Sequence, residues 1–203
     1  GSNDLIDLFL EDDILNISKA YYRPGFSYGG SCLPKDLLAL NALASNLNLQ
    51  LPLLSNVEKS NTIHTNFIID RILEFNIHNI GIYGLAFKKG TDDLRFSKSI
   101  TVCEQLLGKG KDVFVLDNFV NISKLVGQNM SYLNNKIPHI NKMLIDDYDE
   151  FISKCNLIVL VHKTSDKFKE KIKLFLTNDK NFILDLSIDN DLKKYSNYYG
   201  CNW

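Results

Sequence analysis

From about residue 76 the chain alternates short apolar runs with longer amphipathic stretches, and no other feature constrains its fold more. Ile80-Gly81-Ile82-Tyr83-Gly84-Leu85 is the first run, and residues 112–117, 157–162 and 182–186 repeat the pattern. Bounded apolar runs of this length read as strands buried on both faces. Residues 99–107 and the stretches near 147–154 and 167–177 carry helical spacing, with Gly108 and Gly110 ending the first. Residues 140–146 are expected to hold one further strand. Alternation of strand and helix implies βαβ units, hence a parallel sheet with helices on both faces.

The earlier residues have a different period. Residues 4–13 read as a short helix. From Pro34 to about Leu47, Leu37, Leu38, Leu40, Leu43, Ala44 and Leu47 recur at helical spacing, and Pro52 interrupts the run. A second helix is predicted over 53–75, with Val57, Ile63, Phe67, Ile68 and Ile72 as its apolar side. The fold class is therefore α/β: residues 1–75 form a largely helical part, and residues 76–203 a Rossmann-like sheet. No internal repeat or low-complexity segment interrupts either part.

Composition excludes several roles. The net charge of -1 over 203 residues offers no general attraction to nucleic acid or to an anionic membrane, so an anionic ligand must meet local cations. No apolar run approaches the roughly 20 residues that cross a bilayer, and no signal sequence is read, so a cytoplasmic protein is expected. The cysteines (Cys32, Cys103, Cys155, Cys201) are scattered with no Cys-x-x-Cys pair, which points away from zinc and from a disulfide framework.

One cysteine stands apart. Arg23-Pro24-Gly25-Phe26-Ser27-Tyr28-Gly29-Gly30-Ser31-Cys32-Leu33-Pro34-Lys35-Asp36 sets a thiol at the end of a glycine-rich loop, just before a proline-started helix. Pro34 suits a first helical turn, where its missing N–H goes unmissed. Backbone N–H groups at a helix start favour the nucleophilic thiolate. Lys35 and Asp36 add a cation and a carboxylate on the same helical side. A cysteine beside a turn is ordinarily structural. Here glycines, proline, cation and carboxylate arrive together and favour a nucleophile.

This loop resembles the catalytic cysteine motif of the nucleotide-sugar 6-dehydrogenases, the family of UDP-glucose and GDP-mannose dehydrogenases. A second family signature follows: Gly84-Leu85-Ala86-Phe87-Lys88-Lys89-Gly90-Thr91-Asp92-Asp93-Leu94-Arg95. Tyr22-Arg23-Pro24, Lys136-Ile137-Pro138-His139 and the terminal Gly200-Cys201-Asn202-Trp203 place the likeness nearest the GDP-mannose branch. The resemblance implies oxidation of a sugar C6 alcohol to a carboxylate in two hydride transfers to NAD. Cys32 would carry a thiohemiacetal and then a thioester, with Lys35 and Asp36 as catalytic companions and Lys35 also near the cofactor. A thiolate is both a soft nucleophile and a good leaving group, as this chemistry requires.

The same resemblance implies that Arg23 reaches substrate across a dimer interface, and that Lys88 contacts the nucleotide-sugar. Arg95 would face the NAD pyrophosphate or the neighbouring carboxylates, with Thr91-Asp92-Asp93 positioning it through Asx-type turns. Asn16, Tyr21, Tyr22, Phe26 and Gly29 are further substrate-side candidates in or beside the loop. Lys89 reads as a solvated lysine. Asp92 and Asp93 lack a neighbouring His or third carboxylate, so no metal is expected. His64, His78, His139 and His162 give no cysteine-hydrolase signature.

The implied partners are a GDP-sugar and a second copy of the chain. No Gly-x-Gly-x-x-Gly fingerprint occurs; Gly81-Ile82-Tyr83-Gly84 spaces its glycines by two residues. The expectation is a fragment: the end of a central helical dimerisation domain plus a C-terminal domain, Gly1-Ser2 being a tag remnant. NAD, and the family's remaining catalytic residues, would then belong to an N-terminal domain outside the chain. A UDP-sugar enzyme of the same family stays open, as does a module that binds and dimerises without activity of its own.

Overall fold

The computed structural model describes residues 2–14, 18, 22, 25–120, 127–187 and 190–200. Three helices lead: α1 (Ser2–Phe9), α2 (Leu33–Asn46) and α3 (Pro52–Glu74). Both prolines sit in the first turn of their helices, where a missing donor costs nothing. Pro52 thus separates α2 from α3 by opening the second helix.

The second half is a five-stranded parallel sheet. Its strands are β1 (Asn79–Tyr83), β2 (Asp112–Leu116), β3 (Leu157–Leu160), β4 (Phe182–Asp185) and β5 (Tyr198–Gly200), in the order β2-β1-β3-β4-β5. Between them run α4 (Lys98–Gly108), α5 (Gly127–Lys136), α6 (Tyr148–Lys154) and α7 (Asp166–Phe175). Register places Ile82 beside Val115 on one side and Val159 on the other. Side chains alternate across the sheet as the pleat requires. Ile80, Ile82, Leu157 and Val159 face a layer containing Ile68 and Ile72 of α3, Leu106 of α4 and Leu133 of α5. Tyr83, Ile158 and Leu160 face Phe151 of α6 and Phe168 of α7. Helices cover both faces, and the C-terminal half of α3 belongs to the core of the sheet.

Some expectations are corrected. Residues 140–146 form no full strand: a 3-10 turn occupies Ile140–Lys142, and only Leu144 bridges to Val115. Helix α5 and the edge strand β5 carry no apolar run that announces them. Helix α1 ends at Phe9, and Asp12 then folds back to accept the Ile14 N–H at 2.9 Å. None of the described helices is long and apolar enough to cross a membrane.

Strand order sets the place of the site. The chain leaves β1 toward β2 and leaves β3 toward β4, so direction reverses between the adjacent C-terminal ends of β1 and β3. Such a reversal opens the crevice where open α/β sheets take ligands. The loop 84–97 leaves β1 there, and it carries the whole second motif.

Candidate active site

Cys32 is the residue immediately before α2 and is exposed, whereas Cys103 and Cys155 are buried. Burial pushes those two thiols up to about 12. The loop that presents Cys32 is fastened to α3 by side chains that the sequence did not single out. Asn61 donates from its Nδ2 to the Tyr28 carbonyl at 2.9 Å, and its Oδ1 accepts the Tyr28 N–H at 3.0 Å. Thr65, one turn further, donates to Ser27 Oγ at 2.9 Å. Their i, i+4 spacing on the buried side of α3, among isoleucines, was the available signal.

A charged link adds to this. The Tyr28 hydroxyl donates to Glu58 at 2.7 Å, and Lys98 at the start of α4 donates to the other carboxylate oxygen at 3.0 Å. Burial and the Glu58 partner push the Tyr28 hydroxyl up to about 12. Burial opposes ionisation of Glu58, but the Tyr28 and Lys98 bonds hold it below the usual carboxylate range. One carboxylate thereby ties the Cys32 loop to both α3 and α4.

The two sequence motifs meet. Gly30 has φ +92°, and a methyl group there would lie 2.8 Å from the Phe87 ring. Both the backbone and the contact therefore require glycine. At Gly29 an added Cβ would approach the Phe96 carbonyl oxygen to 2.4 Å. Ser31 hydrogen-bonds Asp93, and its Oγ lies 3.9 Å from the Cys32 sulfur. Three consecutive residues before the thiol thus touch the β1–α4 loop.

That loop is itself built as its sequence implies. The Asp93 N–H donates to Thr91 Oγ1 at 3.1 Å, and Asp93 Oδ1 accepts the Arg95 N–H at 3.1 Å. Arg95 then closes a fork on the same carboxylate, with both side-chain bonds at 2.9 Å. The Arg95 bonds hold Asp93 below the usual carboxylate range. The start of the loop is pinned from the sheet. Buried Asp117, just past β2, accepts the N–H groups of Leu85 at 2.8 Å and Ala86 at 3.1 Å. His162, just past β3, bonds the Ala86 carbonyl through Nε2 at 3.0 Å, and a methyl at Gly84 would come within 2.5 Å of its ring. His162 therefore fills the space between the ends of β1 and β3.

The other candidates fall as follows. Lys88 is exposed on the loop between Phe87 and Gly90. Lys35 pairs with Asp36 at 3.2 Å, each side chain being about two-thirds exposed. Phe26 packs on the core beside His64, at 6.4 Å between ring centres, and lines a cleft of about 820 Å³ with Asn56, Val57 and Asn61. Tyr22 meets Phe9 edge-on at 5.4 Å. Lys89 is not simply solvated, since it donates to the Lys163 carbonyl at 2.8 Å. Asn16, Tyr21 and Arg23, with the terminal Cys201-Asn202-Trp203, lie outside the described residues. No group of three or more His, Cys, Asp or Glu side chains that could hold a metal occurs among the described residues.

A dinucleotide cradle needs a tight glycine turn running straight from strand into helix. Here Tyr83 ends β1, Lys98 starts α4, and His162 covers Gly84. The residues of this sheet do not fit that group.

Comparison with known proteins agrees with this anatomy. Residues 2–63 match the central domain of the UDP-glucose/GDP-mannose dehydrogenase family, and residues 81–189 match its UDP binding domain. The GDP-mannose 6-dehydrogenase of Pseudomonas savastanoi pv. phaseolicola is 40% identical over 157 residues, 77% of this chain and 36% of that protein. The UDP-glucose 6-dehydrogenase of Rickettsia bellii is 34% identical over 143 residues, 62% of this chain and 33% of that protein. The chain thus spans little more than a third of the curated relatives it matches. Among solved structures, the ternary complex of GDP-mannose dehydrogenase from Pseudomonas aeruginosa superposes with a TM-score of 0.79 at 33% identity, over 98% of this chain and 45% of that one. The UDP-glucose dehydrogenase of Pyrobaculum islandicum, at 21% identity and a TM-score of 0.74 over 98% of this chain and 43% of that one, shares the fold. Two family domains in order, joined through the loops that carry their motifs, lead to one conclusion: the chain belongs to the UDP-glucose/GDP-mannose dehydrogenase family.

Proposed function

We propose that this chain is the thiol-bearing and nucleotide-sugar-binding part of an NAD-dependent GDP-mannose 6-dehydrogenase. The observation that carries the reading is the contact of Gly29, Gly30 and Ser31 with Phe96, Phe87 and Asp93. It brings the exposed thiol to the loop bearing Lys88. Residues 1–75 would act as part of a central helical domain and residues 76–203 as the nucleotide-sugar domain.

NAD, when bound, would accept the two hydrides and would be held mainly by residues outside this sheet. The chain's own residues do the rest. The Cys32 sulfur adds to the C6 aldehyde carbon to give a thiohemiacetal; loss of the second hydride and the hydroxyl proton leaves a thioester, and water hydrolyses it, returning the thiol and releasing the carboxylate. Lys88 and Arg23 give charge-assisted bonds to the diphosphate. Lys35 and Asp36 flank the thiol, and Asn16, Tyr21, Tyr22, Phe26 and Gly29 form the sugar side. Arg95 supplies a fork for the pyrophosphate. A second copy of the chain covers the exposed apolar side of α2 and α3. The protein works in the cytoplasm, where nucleotide-sugars are made and thiols stay reduced.

The full-length protein tests this. With GDP-mannose and NAD, Cys32→Ser should abolish uronate formation, because an alkoxide does not leave as a thiolate does, while Cys103→Ser should retain it. Uronate formation by Cys32→Ser at the parental rate would overturn the reading. The second reading, a binding module inactive alone, is favoured by the β1–α4 connection, which does not fit a dinucleotide; it predicts no NADH from the isolated chain.

A further inference from the structure

The thiol has donors for neighbours, and one carboxylate holds them. Ser31 Oγ is 3.9 Å from the Cys32 sulfur, within reach of an S–H···O contact. A serine hydroxyl has a single proton to give. Ser31 bonds Asp93, which as a carboxylate only accepts, so that proton goes to Asp93. Toward the sulfur, Ser31 then presents lone pairs, which suit a thiol hydrogen and repel a thiolate.

Arg95 is held in the same way. Its Nε and one terminal nitrogen are both engaged by Asp93 at 2.9 Å. Its charge is favoured first by Asp93 and also, through space, by Cys32, so the guanidinium is near enough to sense the sulfur. The carboxylate beside it offsets much of its field. Lys35 and Asp36, the charges on the thiol's own helix, pair with each other at 3.2 Å.

We propose that Asp93 is a positioning residue for the Cys32 nucleophile: it turns the Ser31 hydroxyl proton and the Arg95 guanidinium toward itself instead of the sulfur and so restrains the thiol. The proposal rests on Cys32 being the nucleophile, as argued above. A phosphate group offers an arginine fork the same two-oxygen geometry as a carboxylate. A ligand that takes Arg95 would therefore leave Asp93 unneutralised beside Ser31 and the sulfur, linking occupancy to reactivity.

The test is the rate at which limiting iodoacetamide alkylates Cys32 in the chain, followed by peptide mapping across a range of pH. Asp93→Asn should raise the rate at neutral pH by about threefold or more and move the pH profile to lower pH, since a carboxylate is lost and two donors are freed. Arg95→Gln should do the reverse, because it leaves Asp93 unneutralised beside the sulfur. Slow labelling of buried Cys103 and Cys155 reports that each variant is folded; were Asp93→Asn to unfold, Arg95→Gln alone decides. An unchanged or slower rate in folded Asp93→Asn, or a faster one in Arg95→Gln, would overturn the proposal. Either result leaves the nucleophile reading intact, which only the loss of uronate formation on Cys32→Ser judges.

Discussion

Buried polar residues far apart in sequence hold the candidate site together. Asn61 gives the Tyr28 backbone both a donor and an acceptor, and Asp117 takes two N–H groups of the β1–α4 loop. Cys32 was legible because its signal is local: glycines, a proline and charges within a few residues. Asn61 and Asp117 were not, because each serves a loop about thirty residues away, and only folding shows which. His162 belongs with them and gives the site a pH dependence. Burial lowers its pKa below the ordinary 6.5, against the pull of Asp117. A base depressed by folding contributes stability that is complete above the unfolded value and lost as pH falls through the folded one. Burial lowers His64 in the same direction. The urea midpoint should therefore drop between about pH 7.5 and about pH 5.5, and His162→Gln should flatten that drop. An equal drop in His162→Gln would show that another group carries it.

Elements with strong periodicity were readable, and those without it were not. Strands β1 to β4 are apolar on both faces and announce themselves. Helix α5 reads Gly-Gln-Asn-Met-Ser-Tyr-Leu-Asn-Asn-Lys, with too few apolar positions to show a stripe, and β5 is three residues long. Helices α2 and α3 were found for a reason the fold only half uses. Their spacing gives each an apolar side, yet α2 buries only Pro34, Leu37 and Ala44. On α3, Ile68 and Ile72 are fully buried, whereas Leu53 is 87% exposed, Ile63 69% and Phe67 48%. A continuous exposed apolar side of this kind marks association. Light scattering should give twice the chain mass at tens of micromolar, and Ile63→Asp with Phe67→Asp should return the monomer. A monomer at every concentration tried would remove the second copy from the account.

For the molecule as a whole, the parallel sheet does less chemistry than its strand order first implies. The crevice between β1 and β3 is filled by His162, and the loop 84–97 leans on the Cys32 loop instead. The sequence motifs foresaw both loops, and the pattern of strands foresaw the sheet. What no local pattern could show is that Gly29, Gly30 and Ser31 lock onto Phe96, Phe87 and Asp93, because that contact depends on α3 turning the thiol loop back onto the sheet. The central claim is that this assembly receives a nucleotide-sugar of the guanine class. Calorimetric titration of the chain with GDP, UDP and ADP tests it most directly. GDP should bind about tenfold tighter than the others, a paired base edge contributing roughly 1–3 kcal/mol, and Lys88→Ala should weaken all three alike. Equal affinity for the three, or tighter binding of UDP, would contradict it.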